Sequence, residues 1–310
     1  VIVTVTCNPA IDQNVSVDRL VFDDRAYILD QRHSAGGRGI NASCVIHAFG
    51  GQTLALAISG GKSGRLMEEY LSTCGFAFEL VRIRHEIRKN ITVSDKQGLA
   101  VRLNEVGPRL QAPELSRLEK AVRERLKSAS HLMLCGSLPP GVRGEFYATL
   151  VKSAGKLGVP VLVDTDGEAL ERAVEAGPDV VTPNQQEAER LLNRALITRQ
   201  HFFEAAARIR EMGARSVILS MGARGAVAAG ADGTLLEVAP PRVDALCSIG
   251  SGDALGAAYA WAITNGQPFA EAVRWGVAAG TASARLPGLS FASLGQTKEV
   301  LEQVEVRRIQ

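Results

Sequence analysis

The chain reads as an α/β protein, a mostly parallel β-sheet with helices on both faces, and three observations predict it. Short apolar runs alternate with segments of helical spacing over most of the length. Repeated strand–helix–strand order places the strands parallel and buries them between helical layers. Several apolar runs end in glycine or polar residues, which marks the carboxyl edge of the sheet as the edge for ligands.

Taken in order, "VIVTVTCNPA" (1–10) reads as a buried strand and a turn, without the basic leader of a signal peptide. "HLMLCGS" (131–137) is a buried strand ending in glycine, and "GEFYATLVKSAGKLG" (144–158) has helical spacing with a glycine stop. "VPVLVDT" (159–165), "PDVVTPN" (178–184) and "ARSVILSMG" (214–222) are further strands, separated by the helical patterns "EALERAVEAG" (168–177) and "QQEAERLLNR" (185–194). Their polar ends are Gly136-Ser137, Asp164-Thr165, Pro183-Asn184 and Ser220-Met221-Gly222. Two segments, approximately 11–34 and 79–105, instead mix β-branched, aromatic and charged residues at a period near two. They predict a small β-sheet projecting as a lid, so the expectation is one domain over 1–310 with two insertions.

Composition excludes several classes. A net charge of +2 argues against a nucleic-acid or membrane partner, and no apolar run reaches the roughly 18 residues of a membrane span. Five scattered cysteines without a C-x-x-C pair suggest neither disulfides nor zinc, and point to free thiols in a reducing cytoplasm. "SGGKSGR" (59–65) is not a Walker A loop, because Leu56 stands where its first glycine belongs; Lys62 is expected in a solvated loop.

The chemistry-bearing stretches each carry a bland reading beside a functional one. In "CSIGSGDALGAA" (247–258), Gly250 and Gly252 precede a helical pattern, whose unpaired N–H groups and dipole favour an anion, with Asp253 at the mouth; Asp253 as a plain helix cap is the alternative. "GGRGIN" (36–41) allows close backbone approach and offers the Asn41 amide, or is a tight turn. Asn184 and Glu187 form a capping box, or order water around Mg²⁺. "SMGARGA" (220–226) is a glycine turn beside phosphates, or a simple β-turn. Arg88 and Asn90 lie in a lid strand, where Arg88 faces solvent or grips a phosphate bidentately.

Read together, these pieces resemble the PfkB family of sugar kinases within the ribokinase-like fold, close to its sugar-phosphate branch of 1- and 6-phosphofructokinases and tagatose-6-phosphate kinase. The resemblance runs nearly the full length. It is carried by Asn8-Pro9-Ala10 with Asp12, "GGRGIN", "GSLPPGV" (136–142), "VDTDGEAL" (163–170), "PNQQE" (183–187) and "GSGD" (250–253). It implies ATP-dependent phosphorylation of a primary hydroxyl on fructose 1-phosphate, fructose 6-phosphate or tagatose 6-phosphate. Asp253 would be the general base, with the amides of Gly250, Ser251 and Gly252 as anion hole. Asp12, Gly37, Gly39 and Asn41 would bind sugar hydroxyls with Arg38 beside them, and Ser137 and Asn90 would adjoin the sugar. Arg88 would hold the substrate phosphate. Asn184, with Glu187 acting through water, would order Mg²⁺ and the triphosphate, while Ser220, Gly222 and Gly225 would contact ATP. A homodimer through the lids is implied as well. Three departures stand out: Thr182 where the branch often has lysine, Arg38 where lysine or glycine is usual, and Cys247-Ser248-Ile249 in place of a threonine-rich lead-in. The alternatives are a kinase for an unphosphorylated sugar or nucleoside, and a sugar-phosphate-binding regulator without catalysis.

Overall fold

The computed structural model describes residues 1–21, 24–97 and 99–309. Phe22, Asp23 and Gly98, within the expected lid segments, and Gln310 lie outside the described residues. The elements in chain order are β1 (Ile2–Thr6), β2 (Ala10–Val17), β3 (Ile28–Gly36), α1 (Arg38–Ala48), β4 (Thr53–Ser59), α2 (Gly61–Thr73), β5 (Ala77–Arg82), β6 (Arg88–Asp95), β7 (Ala100–Asn104) and α3 (Ala112–Leu126). They continue with β8 (His131–Cys135), α4 (Glu145–Gly155), β9 (Val161–Asp164), α5 (Gly167–Glu175), β10 (Val180–Val181), α6 (Gln185–Leu192), α7 (Arg199–Glu211) and β11 (Ser216–Ser220). The last are β12 (Ala226–Ala229), β13 (Leu235–Ala239), α8 (Ser251–Thr264), α9 (Phe269–Ala284), α10 (Leu294–Leu301) and β14 (Glu305–Ile309).

The large sheet has the order β14-β13-β12-β11-β10-β9-β8-β1-β4-β5. From β5 to β11 every pairing is parallel, and β12, β13 and β14 add an antiparallel edge. Strand alternation divides the core into two layers. Val3 and Val5 of β1, Leu132 and Leu134 of β8, and Val161 and Val163 of β9 pack with α2 to α7. Ile2, Met133 and Leu162 face the other way, against α1, α8 and α9. One buried polar chain crosses this second layer: Thr4 Oγ1 and Ser43 Oγ are 2.8 Å apart, Ser43 Oγ is 2.8 Å from Thr53 Oγ1, and Thr53 donates to the Ile2 carbonyl at 3.0 Å. Fully partnered, it locks α1 onto β1 and β4 and thereby sets where Arg38 and Asn41 emerge. No helix among the described residues is long and apolar enough to cross a membrane.

β10 is only two residues long, shorter than its apolar run suggests. Pro183 has no N–H to extend the ladder. Pairing resumes one step later, where Asn184 bridges Ser220 in parallel register. The second sheet, β3-β2-β6-β7, is the expected lid. Its second half is narrower than the sequence suggests: β5 pairs with β4 in the main sheet, so the lid portion begins at Arg88 rather than at residue 79. Lys62 is exposed as expected, but it sits in the first turn of α2 rather than in a loop.

The Gly136-Ser137 loop after β8 is held from beneath. Gly136 has φ +82°, its N–H donates to the Asp164 carbonyl at 2.7 Å, and its carbonyl accepts from Thr165 Oγ1 at 2.9 Å. The fully buried Tyr147 hydroxyl lies 3.0 Å from both the Cys135 and Gly136 carbonyls. Replacing Tyr147 with Phe should therefore cost about 1–3 kcal/mol, the loss of a buried donor. Urea unfolding should show this as a lower midpoint with an unchanged slope.

Candidate active site

The stretch 247–258 resolves as a turn and the start of α8. Gly250 precedes the helix at φ +81°, and a Cβ there would come within 2.8 Å of Leu289 Cδ1 and 2.9 Å of Phe291 Cε1. Both the dihedral and the crowding require glycine. The first i→i−4 bond is Ala254 N–H to the Gly250 carbonyl at 2.9 Å, so the amides of Gly252 and Asp253 precede the ladder. The Ser251 N–H turns back to the Ser248 carbonyl at 3.3 Å, which engages one of the three amides expected in the anion hole. The buried Ser251 hydroxyl has no partner among the described residues.

Asp253 does not cap the helix: it lies in the first turn, no side chain caps α8, and its Oδ2 accepts from Asn41 Nδ2 at 2.6 Å. Burial is the main influence on its carboxyl, and the charge of Asp164 adds to it. Asn41 and Arg38 oppose the rise, Asp12 reinforces it, and the pKa settles at about 7. A carboxyl in that range can take a proton near neutral pH.

On the lid side, Asp12 of β2 stands opposite Asn90 of β6, and Ala10 opposite Arg88. Residues two apart share a strand face, so Arg88, Asn90 and Asp12 belong to one surface. Asn90 Nδ2 donates to Asp12 Oδ1 at 2.8 Å. Burial raises the Asp12 pKa, while Asn90 and then Arg88 lower it. Arg88 is not a free surface arginine: Nε donates to the Asn8 carbonyl and Nη1 to the Glu105 carbonyl, both at 3.1 Å. Asn8 ties the region together, donating from Nδ2 to Val106 O at 3.1 Å and to Ser137 Oγ at 3.3 Å. The sequence marked Asn8 only as part of a motif, since its partners lie about a hundred residues away.

Gly37 precedes α1, and a Cβ on Gly39 would meet Thr6 Oγ1 at 2.5 Å and Val5 O at 3.0 Å. Gly39 thus faces β1 and lets the helix approach the strand. Only its backbone is available to a ligand.

On the opposite side, the capping-box reading of Asn184 and Glu187 holds. Glu187 N–H donates to Asn184 Oδ1 at 3.0 Å, and Asn184 N–H donates to Glu187 Oε2 at 2.9 Å, a complete capping box. The other oxygen, Oε1, accepts from Arg38 Nη2 at 3.1 Å. Arg38 also donates from Nη1 to Asp164 Oδ1 at 3.0 Å and from Nη2 to Asp166 Oδ2 at 3.5 Å. The guanidinium is thus engaged by three acids, carried by the end of β9, the residue that caps α5, and α6. Asp164 chiefly, against the cost of burial, holds it more firmly protonated. Burial pushes the Glu187 carboxyl up, and Arg38 pulls it back. Asp164 and Asp166 were not singled out as site residues; their polar strand end was the available signal.

Ser220 ends β11, and Gly222–Arg224 forms a single tight turn between β11 and β12, with Gly222 at φ +61° and Gly225 at φ +87°. Among the described residues, no group of three or more His, Cys, Asp or Glu is arranged to hold a metal directly. Glu187 nevertheless fits an ion that keeps several waters and binds through one or two carboxylates and a phosphate, as Mg²⁺ does. The unpartnered buried hydroxyls of Thr182 and Ser251 suit the oxygen-rich ligand such an ion accompanies.

The architecture is the ribokinase-like fold. A solved ribokinase from Arabidopsis thaliana, only 20% identical, superposes with a TM-score of 0.80 over 97% of this chain and 98% of that one. The pattern of the "pfkB family carbohydrate kinase" matches residues 3–294. A 1-phosphofructokinase from Borreliella burgdorferi is 28% identical over 308 residues, covering 99% of both chains. The ATP-dependent 6-phosphofructokinase isozyme 2 of Escherichia coli is 30% identical over 302 residues, covering 96% of this chain and 97% of that one. A structure of E. coli phosphofructokinase-2 in complex with fructose-6-phosphate superposes with a TM-score of 0.90 at 30% identity, over 97% and 98% of the two chains. The chain belongs to the pfkB family of carbohydrate kinases and is an enzyme of the phosphotransferase class.

The partly buried Asp253 carboxylate carries a stability consequence whose sign is fixed. Its folded pKa lies above the ordinary value of 3.8, so its contribution is most favourable below that value and is lost as pH rises toward about 7. Asp253→Asn removes the penalty. The variant should gain stability over wild type progressively between about pH 4 and pH 7, reaching a few kcal/mol, and hold a constant advantage above that. Thermal unfolding of both proteins across this range measures it.

Proposed function

We propose that this enzyme transfers the γ-phosphoryl group of ATP to a primary hydroxyl of a ketohexose phosphate: fructose 1-phosphate, fructose 6-phosphate or tagatose 6-phosphate. The carrying observation is Asp253, held at about pKa 7 by burial at the start of α8, with Asn41 orienting it at 2.6 Å. Asp253 accepts the proton of the acceptor hydroxyl as its oxygen attacks the γ-phosphorus. The bond from that phosphorus to the β–γ bridging oxygen breaks, and ADP leaves. The amides at the start of α8 stabilise the charge carried by the transferred group, where the partial positive charge of the helix adds to theirs. Mg²⁺, when bound, spreads the charge of the triphosphate, and Glu187 holds its water shell.

Asp12 and Asn90 accept and donate to sugar hydroxyls, with Ser137 across from them. Arg88, half-buried and anchored to two backbone carbonyls, aims its remaining donors at the substrate phosphate. The named activities of the B. burgdorferi and E. coli relatives support a fructose phosphate as acceptor. Five free cysteines are in keeping with a reducing, cytoplasmic setting.

An ADP-release assay with MgATP against the three sugar phosphates, fructose, ribose and adenosine tests this reading. Turnover should be confined to a ketohexose phosphate and fall by roughly 10²–10⁴-fold in Asp253→Asn. In wild type, kcat/KM should rise with pH through a value near 7, the pKa of the free carboxyl. Arg88→Ala should raise KM for the phosphorylated acceptor by about 10- to 100-fold. Turnover on an unphosphorylated compound alone would sink the acceptor assignment, and ligand binding without turnover would make the protein a regulator.

The lid suggests its own partner. Tyr27 is 65% exposed, Ile28 62% and Leu29 52%, on or beside the nine-residue edge strand β3. A second copy's lid is the proposed cover, since an open apolar edge invites pairing. Sedimentation should give a dimer for wild type and monomers for Ile28→Lys/Leu29→Lys; a monomeric wild type overturns it.

A further inference from the structure

Arg38 crosses the whole active edge. It opens α1, directly beside the Gly37 that precedes the helix, and three residues before Asn41. Its stem passes over the end of β8, where a Cβ on Gly136 would lie 3.8 Å from Arg38 Cγ. The guanidinium then reaches Asp164 at the end of β9 and Glu187 on α6, and the charge of Asp253 also acts on it. The site therefore gathers Asp253, Asp164, Asp166 and Glu187 around one arginine. A nucleoside triphosphate approaching those carboxylates meets strong repulsion unless a cation faces it. Arg38 contacts three carboxylates through Nη1 and Nη2 only, and its side chain stays 32% exposed. Thr182 donates its N–H to the carbonyl of Val163, the residue before Asp164, and leads through Pro183 into the capping box of Glu187. The buried Thr182 Oγ1 has no partner among the described residues.

We infer that Arg38 is a nucleotide-phosphate clamp, the cation that admits the terminal phosphates of a nucleoside triphosphate between Asp253 and Glu187, with Thr182 Oγ1 as a neighbouring donor. This rests on the kinase reading above. The acids serve it in turn: they hold the guanidinium extended across the strand ends, so it is already placed when the triphosphate arrives. The planar fork suits phosphate oxygens better than a lysine ammonium would.

Binding separates this from a merely structural ion pair. The Mg²⁺ complex of AMP-PNP, a non-hydrolysable triphosphate, is titrated calorimetrically into wild type, Arg38→Ala, Arg38→Lys and the double variant Arg38→Ala/Thr182→Lys. Adenosine binding is followed in parallel by ligand-observed NMR. Arg38→Ala should lose about 10- to 100-fold in AMP-PNP affinity, the worth of a charged hydrogen-bonded contact, with adenosine affinity unchanged. Arg38→Lys should lose less. The Thr182→Lys change, which returns a cation from the end of β10, should recover most of the loss. If Arg38→Ala fails to fold, Arg38→Lys carries the comparison: it should lose AMP-PNP affinity with adenosine affinity unchanged, and an unchanged AMP-PNP affinity there overturns the clamp. Unchanged AMP-PNP affinity in Arg38→Ala, equal loss for adenosine and AMP-PNP, or no recovery in the double variant overturns the clamp. A wild-type protein that binds neither ligand removes the kinase reading itself, a different result from one that binds both and ignores Arg38.

Discussion

Asp253 is a partly buried carboxylate at a helix N-terminus, within the field of two other carboxylates and one arginine. Burying such a group is expensive unless it is hydrogen-bonded and its charge is answered. The surrounding structure supplies both. Asn41 reaches it from α1, and α1 is held in place by the Thr4–Ser43–Thr53 chain on β1 and β4. Arg38 answers the charge from the same helix. A shift of α1 would therefore remove from Asp253 its hydrogen-bond donor and its opposing charge together.

The second constraint is the space around α8. Its sheet-facing side is almost all alanine and glycine, and α9 crosses close behind: a Cβ on Gly280 would lie 2.9 Å from the Ser251 carbonyl. Small residues on both helices let α8 sit deep between sheet and α9, so that its N-terminus opens at the strand ends rather than at the surface. The dense apolar layer beneath provides the stability against which an ionised buried carboxylate can be tolerated.

The lid is built differently. Its inner strand β2 carries Asp12 toward Asn90 and buries Ile11, Val15 and Val17, whereas β3 from Ile28 to His33 is exposed. One face thus packs inward while the outer edge strand stays exposed. A sheet with so exposed an outer strand can move locally without disturbing the parallel core.

The alternation of apolar runs and helical patterns determined the parallel sheet and its active edge, because burial on both faces and i, i+4 spacing are local properties of the chain. The Asn184–Glu187 box was legible for the same reason: its two halves are three residues apart. Gly250 was legible because a positive φ selects its own residue. Other features were decided only by tertiary contacts. Asp253 looked equally suited to cap its helix, until Asn41, more than two hundred residues away in sequence, engaged it instead. The partners of Arg38 were equally hidden, since Asp164, Asp166 and Glu187 all lie more than a hundred residues further along the chain. β5 resembled a lid strand and joined the main sheet, since the pairing partner β4 fixes a strand's place more strongly than its own composition does. Sequence thus determined the elements and the edge where they meet, while the direction in which each charged side chain points was left to the tertiary structure, because electrostatic partners are chosen by distance in space and not by distance along the chain.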